Sequence, residues 1–207
     1  SKINIISPLK VVKILHTPKS FLPPTKGFFC EIMEKRQLIN KMINTKVNLC
    51  FVLSSIVVLS LPETHAFLDE RFKAKGEELE LCNYVGKILK DSTSRDIHIK
   101  QFLLMGLRTF HKELFEMIKN YCDDTKQMNL LKEEKWYHFA RLIRNCLSHD
   151  NKFVFSPFDK SLLPLSWKDK TITLDMDGKI LMVSDYDLSD HFKMYEEMIN
   201  FVKFKLN

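Results

Sequence analysis

The chain lacks a C-x-x-C pair, a glycine-rich phosphate loop, a G-x-S-x-G sequence and any cluster of histidines and carboxylates at metal-ligand spacing. Structural zinc, a P-loop nucleotide site and a nucleophile elbow are therefore not expected, and no cofactor or resident metal is expected either. Glycine and proline are scarce, at 5 and 7 of 207 residues. Turn-rich β architectures need both at short intervals, so long helices are expected instead. The five cysteines, Cys30, Cys50, Cys82, Cys122 and Cys146, are odd in number and widely spaced. They read as reduced, small apolar side chains rather than a disulfide framework, and point to a cytoplasmic protein.

An excess of either charge is also missing over most of the chain. The net charge of +6 arises in residues 1–30, which hold five lysines and no acidic residue, whereas the remainder carries 27 basic against 26 acidic groups. Composition alone thus gives the body no basic binding face. Residues 1–30, with Pro8, Pro18 and Pro23-Pro24, show no helical stripe and read as a poorly ordered basic arm. A translation start at Met33, the first methionine, would leave that arm outside the natural product.

Residues 31–207 read as one helical domain. A first helix is expected from Glu31 to about Leu61, and its second half, Val47–Leu61, is nearly all apolar. These 15 residues fall short of a membrane span, which needs about 20. A buried core helix is expected, with no membrane partner. A signal or anchor segment is the rival reading: from Met33, a basic stretch to Lys46, the apolar run and Thr64-His65-Ala66 have a cleavable layout. A mature end at Phe67 would decide for it.

Pro62 closes the first helix, and a second helical region is expected over about Thr64–Lys90, interrupted near Lys75-Gly76. The segment DSTSRD, Asp91–Asp96, reads as a loop with N-cap candidates, followed by a third helix over about Ile97–Tyr121. There Gly106 would permit close helix contact. A fourth helix is expected over about Leu130–Ser148. Residues 150–187 then read as an insert of loop and β-hairpin, with strands near Thr171–Leu174 and Ile180–Val183 about an Asp177-Gly178 turn. A closing helix is expected after the N-cap candidate Ser189. The order describes a mainly α protein: an antiparallel helical bundle of four to five long helices with a small β-hairpin insert before the C-terminal helix.

The stretch RLIRNCLSHDNKF, Arg141–Phe153, carries two stripes on one helix. Trp136, Phe139, Ala140, Ile143 and Leu147 form the apolar one, and Arg141, Arg144, Asn145 and Ser148 a polar one opposite. In a continuing helix His149 would stand roughly 140° from Arg144, so both can address one ligand only if the helix ends or bends there. Ser148, Asp150 and Asn151 favour that. A guanidinium forks onto phosphate oxygens, an imidazole moves protons near neutral pH, Asn145 can orient either, and Ser148 can donate another hydrogen bond. A metal-free phosphodiester reaction fits this set.

A helical bundle with Arg-Asn-x-x-x-His near the end of its penultimate long helix, RNCLSH here, resembles the HEPN superfamily, many of whose members are metal-independent ribonucleases of toxin, phage-defence and RNA-processing systems. Their motif is Arg, four to six residues, then His, often with a polar residue directly after the Arg, and Arg144–His149 is the pair that satisfies it. The resemblance implies a catalytic set of Arg144, Asn145 and His149, with His149 as general base on an RNA 2′-hydroxyl and Arg144 stabilising charge on the phosphoryl oxygens. It also implies RNA as substrate, a homodimer with a composite active site and an antitoxin or regulatory protein as partner. Some toxin members carry Tyr two residues after the His for antitoxin modification; Asn151 stands there instead, and that regulation is not expected.

His138 and Arg141, like Ser148, are candidates for the RNA backbone. Arg108, His111, Glu113 and Glu116 on the third helix read as a solvated face, and Phe153, Phe155 and Phe158 as fillers of a core gap rather than base-stacking platforms. A noncatalytic helical module binding RNA or a protein through the same stripe is the alternative function. A structural bundle in which Arg144 and His149 merely cap a helix end is a third.

Overall fold

Acceptor side chains set the starts of the two long helices that begin at Ser92 and Leu188. In the computed structural model, Asp91 accepts from the Ser94 N–H at 3.1 Å, and Asp187 accepts from the Asp190 N–H at 2.9 Å while the Asp187 N–H donates to the Asp190 carboxylate at 3.1 Å. Each satisfies backbone donors that a helix start leaves without partners. The structure describes residues 33–74, 80–182 and 184–207. The arm of residues 1–30 and the interruption expected near Lys75-Gly76 lie outside the described residues.

The described residues form eight helices and one antiparallel hairpin: α1 (Lys35–Leu59), α2 (Pro62–Ala74), α3 (Glu80–Lys90), α4 (Ser92–Asp124), α5 (Met128–Lys132), α6 (Tyr137–Ser148), α7 (Pro157–Leu162), β1 (Leu165–Trp167), β2 (Lys170–Ile172) and α8 (Leu188–Phe204). The protein is mainly helical, with its small hairpin before the C-terminal helix. The 33-residue α4 is the axis, packed against α1, α3, α5, α6 and α8. Its Phe110, Leu114 and Ile118 meet Leu38 and Met42 of α1, Ala140 and Ile143 of α6, and Met194 and Met198 of α8 in one core, each at most 2% exposed. Gly106 brings α1 close, since a Cβ there would lie 2.9 Å from Val52 Cγ1.

Four expectations are corrected by packing. DSTSRD is no loop: with Asp91 as cap, Ser92 to Asp96 form the first turns of α4. The fourth expected helix is broken into α5 and α6 by turns at residues 133–136, which seat both Leu131 and Trp136 in the core, the latter edge-on to Phe201 of α8 at 5.8 Å. The helix α8 starts from Asp187, with Ser189 already inside it. The hairpin lies one step earlier than expected, pairing Leu165 with Ile172 and Trp167 with Lys170. Burial of Trp167 against Phe139 of α6, 5.5 Å between ring centroids, fixes it there.

The Asp177-Gly178 turn does exist, with Gly178 at φ 79°, but it serves a different partner. Gly178 N–H donates to Phe153 O at 2.8 Å, Phe153 N–H to Lys179 O at 2.9 Å, and Leu181 N–H to Asn151 O at 2.7 Å. The expected second strand thus ties down the chain just past His149 rather than pairing with residues 171–174; Val183 at its end lies outside the described residues. In α1, burial is confined to Leu38, Met42, Thr45 and Leu49, while Val47, Phe51, Val57 and Val58 of the apolar half are exposed. This departs from the expected buried core helix, because α4 covers only one side of a half that is apolar nearly all round. Among the described residues, α1 is the one helix long and apolar enough to cross a membrane.

Candidate functional site

The site is built where α6 ends. Its inward stripe is anchored as the periodicity requires: Trp136, Phe139, Ala140, Ile143 and Leu147 are each at most 2% exposed. The helix stops at Ser148, and His149 is its C-cap, with φ −108° and ψ 50°. Asp150 and Asn151 follow at φ 53° and 62°. Two consecutive left-handed residues reverse the chain, a conformation that Asp and Asn tolerate better than most residues. Main-chain bonds hold the reversal: His149 N–H donates to Asn145 O at 3.1 Å and Cys146 O at 3.0 Å, and Lys152 N–H donates to His149 O at 2.9 Å.

Arg144 and Asn145 are brought together. Arg144 Nη1 donates to Asn145 Oδ1 at 2.9 Å, and Nη2 reaches across to the Glu116 carboxylate on α4. The guanidinium is partly exposed, at 29%. His149 is exposed, and its imidazole has no hydrogen-bond or ion-pair partner among the described residues. Among the described residues no hydrogen bond joins it to Arg144, whose bonds go to Asn145 and Glu116. Beside it, Arg108 of α4 lies 3.5 Å from the carboxylate of Asp150, which is 97% exposed.

Two of the three candidates for the RNA backbone, Ser148 and Arg141, are engaged otherwise. Ser148 donates its hydroxyl proton to Arg144 O at 2.9 Å, which leaves only its lone pairs for a ligand. Arg141 Nη2 is 2.6 Å from Asp159 Oδ1, in a pair whose side chains are 19% and 4% exposed. Its guanidinium also lies over the Phe158 ring, 5.2 Å from the centroid. Burial by itself would raise the Asp159 carboxyl, but hydrogen bonds from Ser156 and Arg141 hold it below the ordinary carboxylate value. His138 is half-buried, and desolvation, with the nearby Arg141 cation, lowers its pKa. Its Nδ1 has no partner among the described residues.

Arg141 therefore joins α6 to the capping box of α7. Replacing it with alanine is expected to lower unfolding stability by about 1–2 kcal/mol, since Asp159 would keep only its Ser156 bonds. Urea denaturation checks this; unchanged stability with weakened RNA binding would instead return Arg141 to the ligand surface.

Residues set aside in the sequence divide three ways. Glu116 and Arg108 belong to the site's surroundings, Glu116 as the partner of Arg144. Nothing in either helix alone gives the register that joins them. His111 is not on a solvated face: it is 1% exposed, and its Nε2 is 3.1 Å from Ala140 O. It continues the stripe Leu107, Leu114, Ile118, a signal of burial present in the sequence. Phe153 and Phe155 fill the core, with ring centroids 5.5 Å apart, while Phe158 stays exposed.

Chemically the arrangement offers one held guanidinium, one amide and one free imidazole on a terminated helix, a set that can bind a phosphate and move a proton. Among the described residues no group of histidine, cysteine and carboxylate side chains could hold a metal ion. No protein-family model, no curated protein and no solved structure matches the chain.

Proposed function

We propose that the chain is a metal-independent endoribonuclease of HEPN type, acting as a toxin or phage-defence effector. The observation that carries this reading is the end of α6 at Ser148, which leaves an unpaired, exposed imidazole at the cap of the helix whose last turn holds Arg144 and Asn145. The helices packed on α4 are, in this reading, an antiparallel bundle, and two chains form a homodimer that brings two motifs together. The free thiols Cys50, Cys122 and Cys146 support a cytoplasmic setting. An antitoxin or regulatory protein is the expected partner.

In the reaction His149 takes the proton of an RNA 2′-hydroxyl, and O2′ attacks the adjacent phosphorus. The bond to the 5′-oxygen breaks, that oxygen takes up a proton from water, His149 gives its proton to the hydroxide left behind, and a 2′,3′-cyclic phosphate remains. Arg144 stabilises the charge that develops on the phosphoryl oxygens, and Asn145 keeps the guanidinium in place. With purified chain in EDTA, single-stranded RNA is expected to give fragments with 2′,3′-cyclic ends while the all-deoxy oligonucleotide stays intact. An identically prepared Arg144→Ala chain controls for contaminating nuclease. Equal cutting of DNA, or cleavage only with added metal, would refute the proposal.

The engagement of Arg144 with Asn145 and Glu116, and not with His149, favours a second reading, a noncatalytic HEPN-like module that binds RNA or a protein. RNA binding that weakens steeply with salt and leaves the strand intact would select it.

A further inference from the structure

The contact across the α4–α6 interface assigns a role to a residue outside the motif. We infer that Glu116 is a positioning residue, fixing the Arg144 guanidinium for a phosphoryl group; this rests on the ribonuclease reading. An arginine side chain left free would carry rotamer entropy, part of which must be surrendered at each binding event. Here it is already surrendered. Nη1 is held by Asn145 Oδ1 from the same helix and Nη2 by Glu116 from the neighbouring one, so two directions are fixed at once.

Hydrogen-bond capacity leads to the same conclusion. A guanidinium has five N–H groups. The one on Nε is buried without a partner, and Asn145 and Glu116 take one each from Nη1 and Nη2. One N–H remains on each terminal nitrogen, the number needed to reach two phosphoryl oxygens. The side chain is 29% exposed, so it is not sealed from solvent. Glu116 also sits on the longest helix, whose Phe115 and Ile118 are buried, so its own position is set by the core.

A carboxylate that merely competed with RNA would behave oppositely, because removing it would free the cation and strengthen binding. The test measures single-turnover cleavage of a labelled single-stranded RNA by the full chain and by Glu116→Ala, Glu116→Gln, Arg144→Ala and Arg144→Ala/Glu116→Ala chains, with thermal melting of each. Glu116→Ala is expected to slow the bound-state step about 10–100-fold with little change in RNA affinity, as misplacement of a reacting group does. Glu116→Gln keeps an acceptor and should recover most of that loss, and the double variant should be no slower than Arg144→Ala. Faster cleavage or tighter binding in Glu116→Ala, or an unchanged rate with a lowered melting temperature, would overturn the inference while leaving the ribonuclease reading in force. A parent chain that does not cut RNA, or an Arg144→Ala chain that cuts as well as the parent, would instead sink that reading and the inference with it.

Discussion

His149→Ala is expected to lower the RNA cleavage rate by about three orders of magnitude, within the range that a positioned general base contributes. Arg144→Ala should cost about 10²–10³-fold, as loss of a donor to a developing oxyanion does. The structure separates these losses from unfolding. His149 is exposed and bonds to the end of α6 through its backbone, so alanine keeps those bonds while removing the imidazole. Arg144→Ala leaves Glu116 without its partner, but that carboxylate is 31% exposed and can be solvated. Both variants should therefore melt within about 2 °C of the parent, a shift smaller than that from 1 kcal/mol of lost stability. Circular dichroism and single-turnover cleavage on the same preparations supply the check. Folded variants that cut at the parent's rate would refute the assignment of the site.

What could be read from residues alone follows from the range of the interaction involved. The inward stripe of α6 is a local periodicity, and burial of Phe139, Ala140, Ile143 and Leu147 follows it. The end of α6 was legible for the same reason, because Ser148, Asp150 and Asn151 are poor interior residues and the left-handed φ values of Asp150 and Asn151 realise that tendency. Pairing of distant segments was not legible. Asp177-Gly178 is a turn in the sequence and in the structure, but its strand joins Asn151–Phe153, and only tertiary packing makes that choice. The partnership of Arg144 with Glu116 spans 28 positions and depends on how α4 and α6 are rotated against each other, which no single-helix pattern encodes. In α1 the apolar composition was plain but ambiguous: it marks what can be buried, and α4 decides which side is.

Unfolding stability is expected to fall by about 2 kcal/mol between pH 7.5 and pH 5 through His111 alone. This imidazole is in the core, where burial lowers its pKa from 6.5 to about 4, a shift the Ala140 carbonyl only partly opposes. Among the described residues no carboxylate forms an ion pair with it that would hold an imidazolium. The His191 ring stands edge-on at 5.6 Å and the Tyr186 ring at 6.0 Å. Asp190 nearby points its carboxylate toward Lys170 and Lys193, each at 3.1 Å. Because the unfolded histidine titrates near 6.5, the unfolded chain binds more protons as pH drops below that value, so stability declines until the folded pKa is reached. His191 adds a loss of the same sign, since burial and the neighbouring His111 lower its pKa as well, and half-buried His138 does too. The carboxylates of Asp159, Asp175, Asp177 and Asp190 have folded pKa values lowered below their unfolded 3.8. Their stabilisation is present above that value and lost only as pH falls beneath it, so the interval from 7.5 to 5 isolates the histidines. Urea midpoints across this interval measure the slope, and His111→Gln, which keeps a donor for Ala140 O, should flatten it. A midpoint that does not move between pH 7.5 and 5 would mean that the core admits a charged imidazole, and that His111 is not held neutral as its surroundings require.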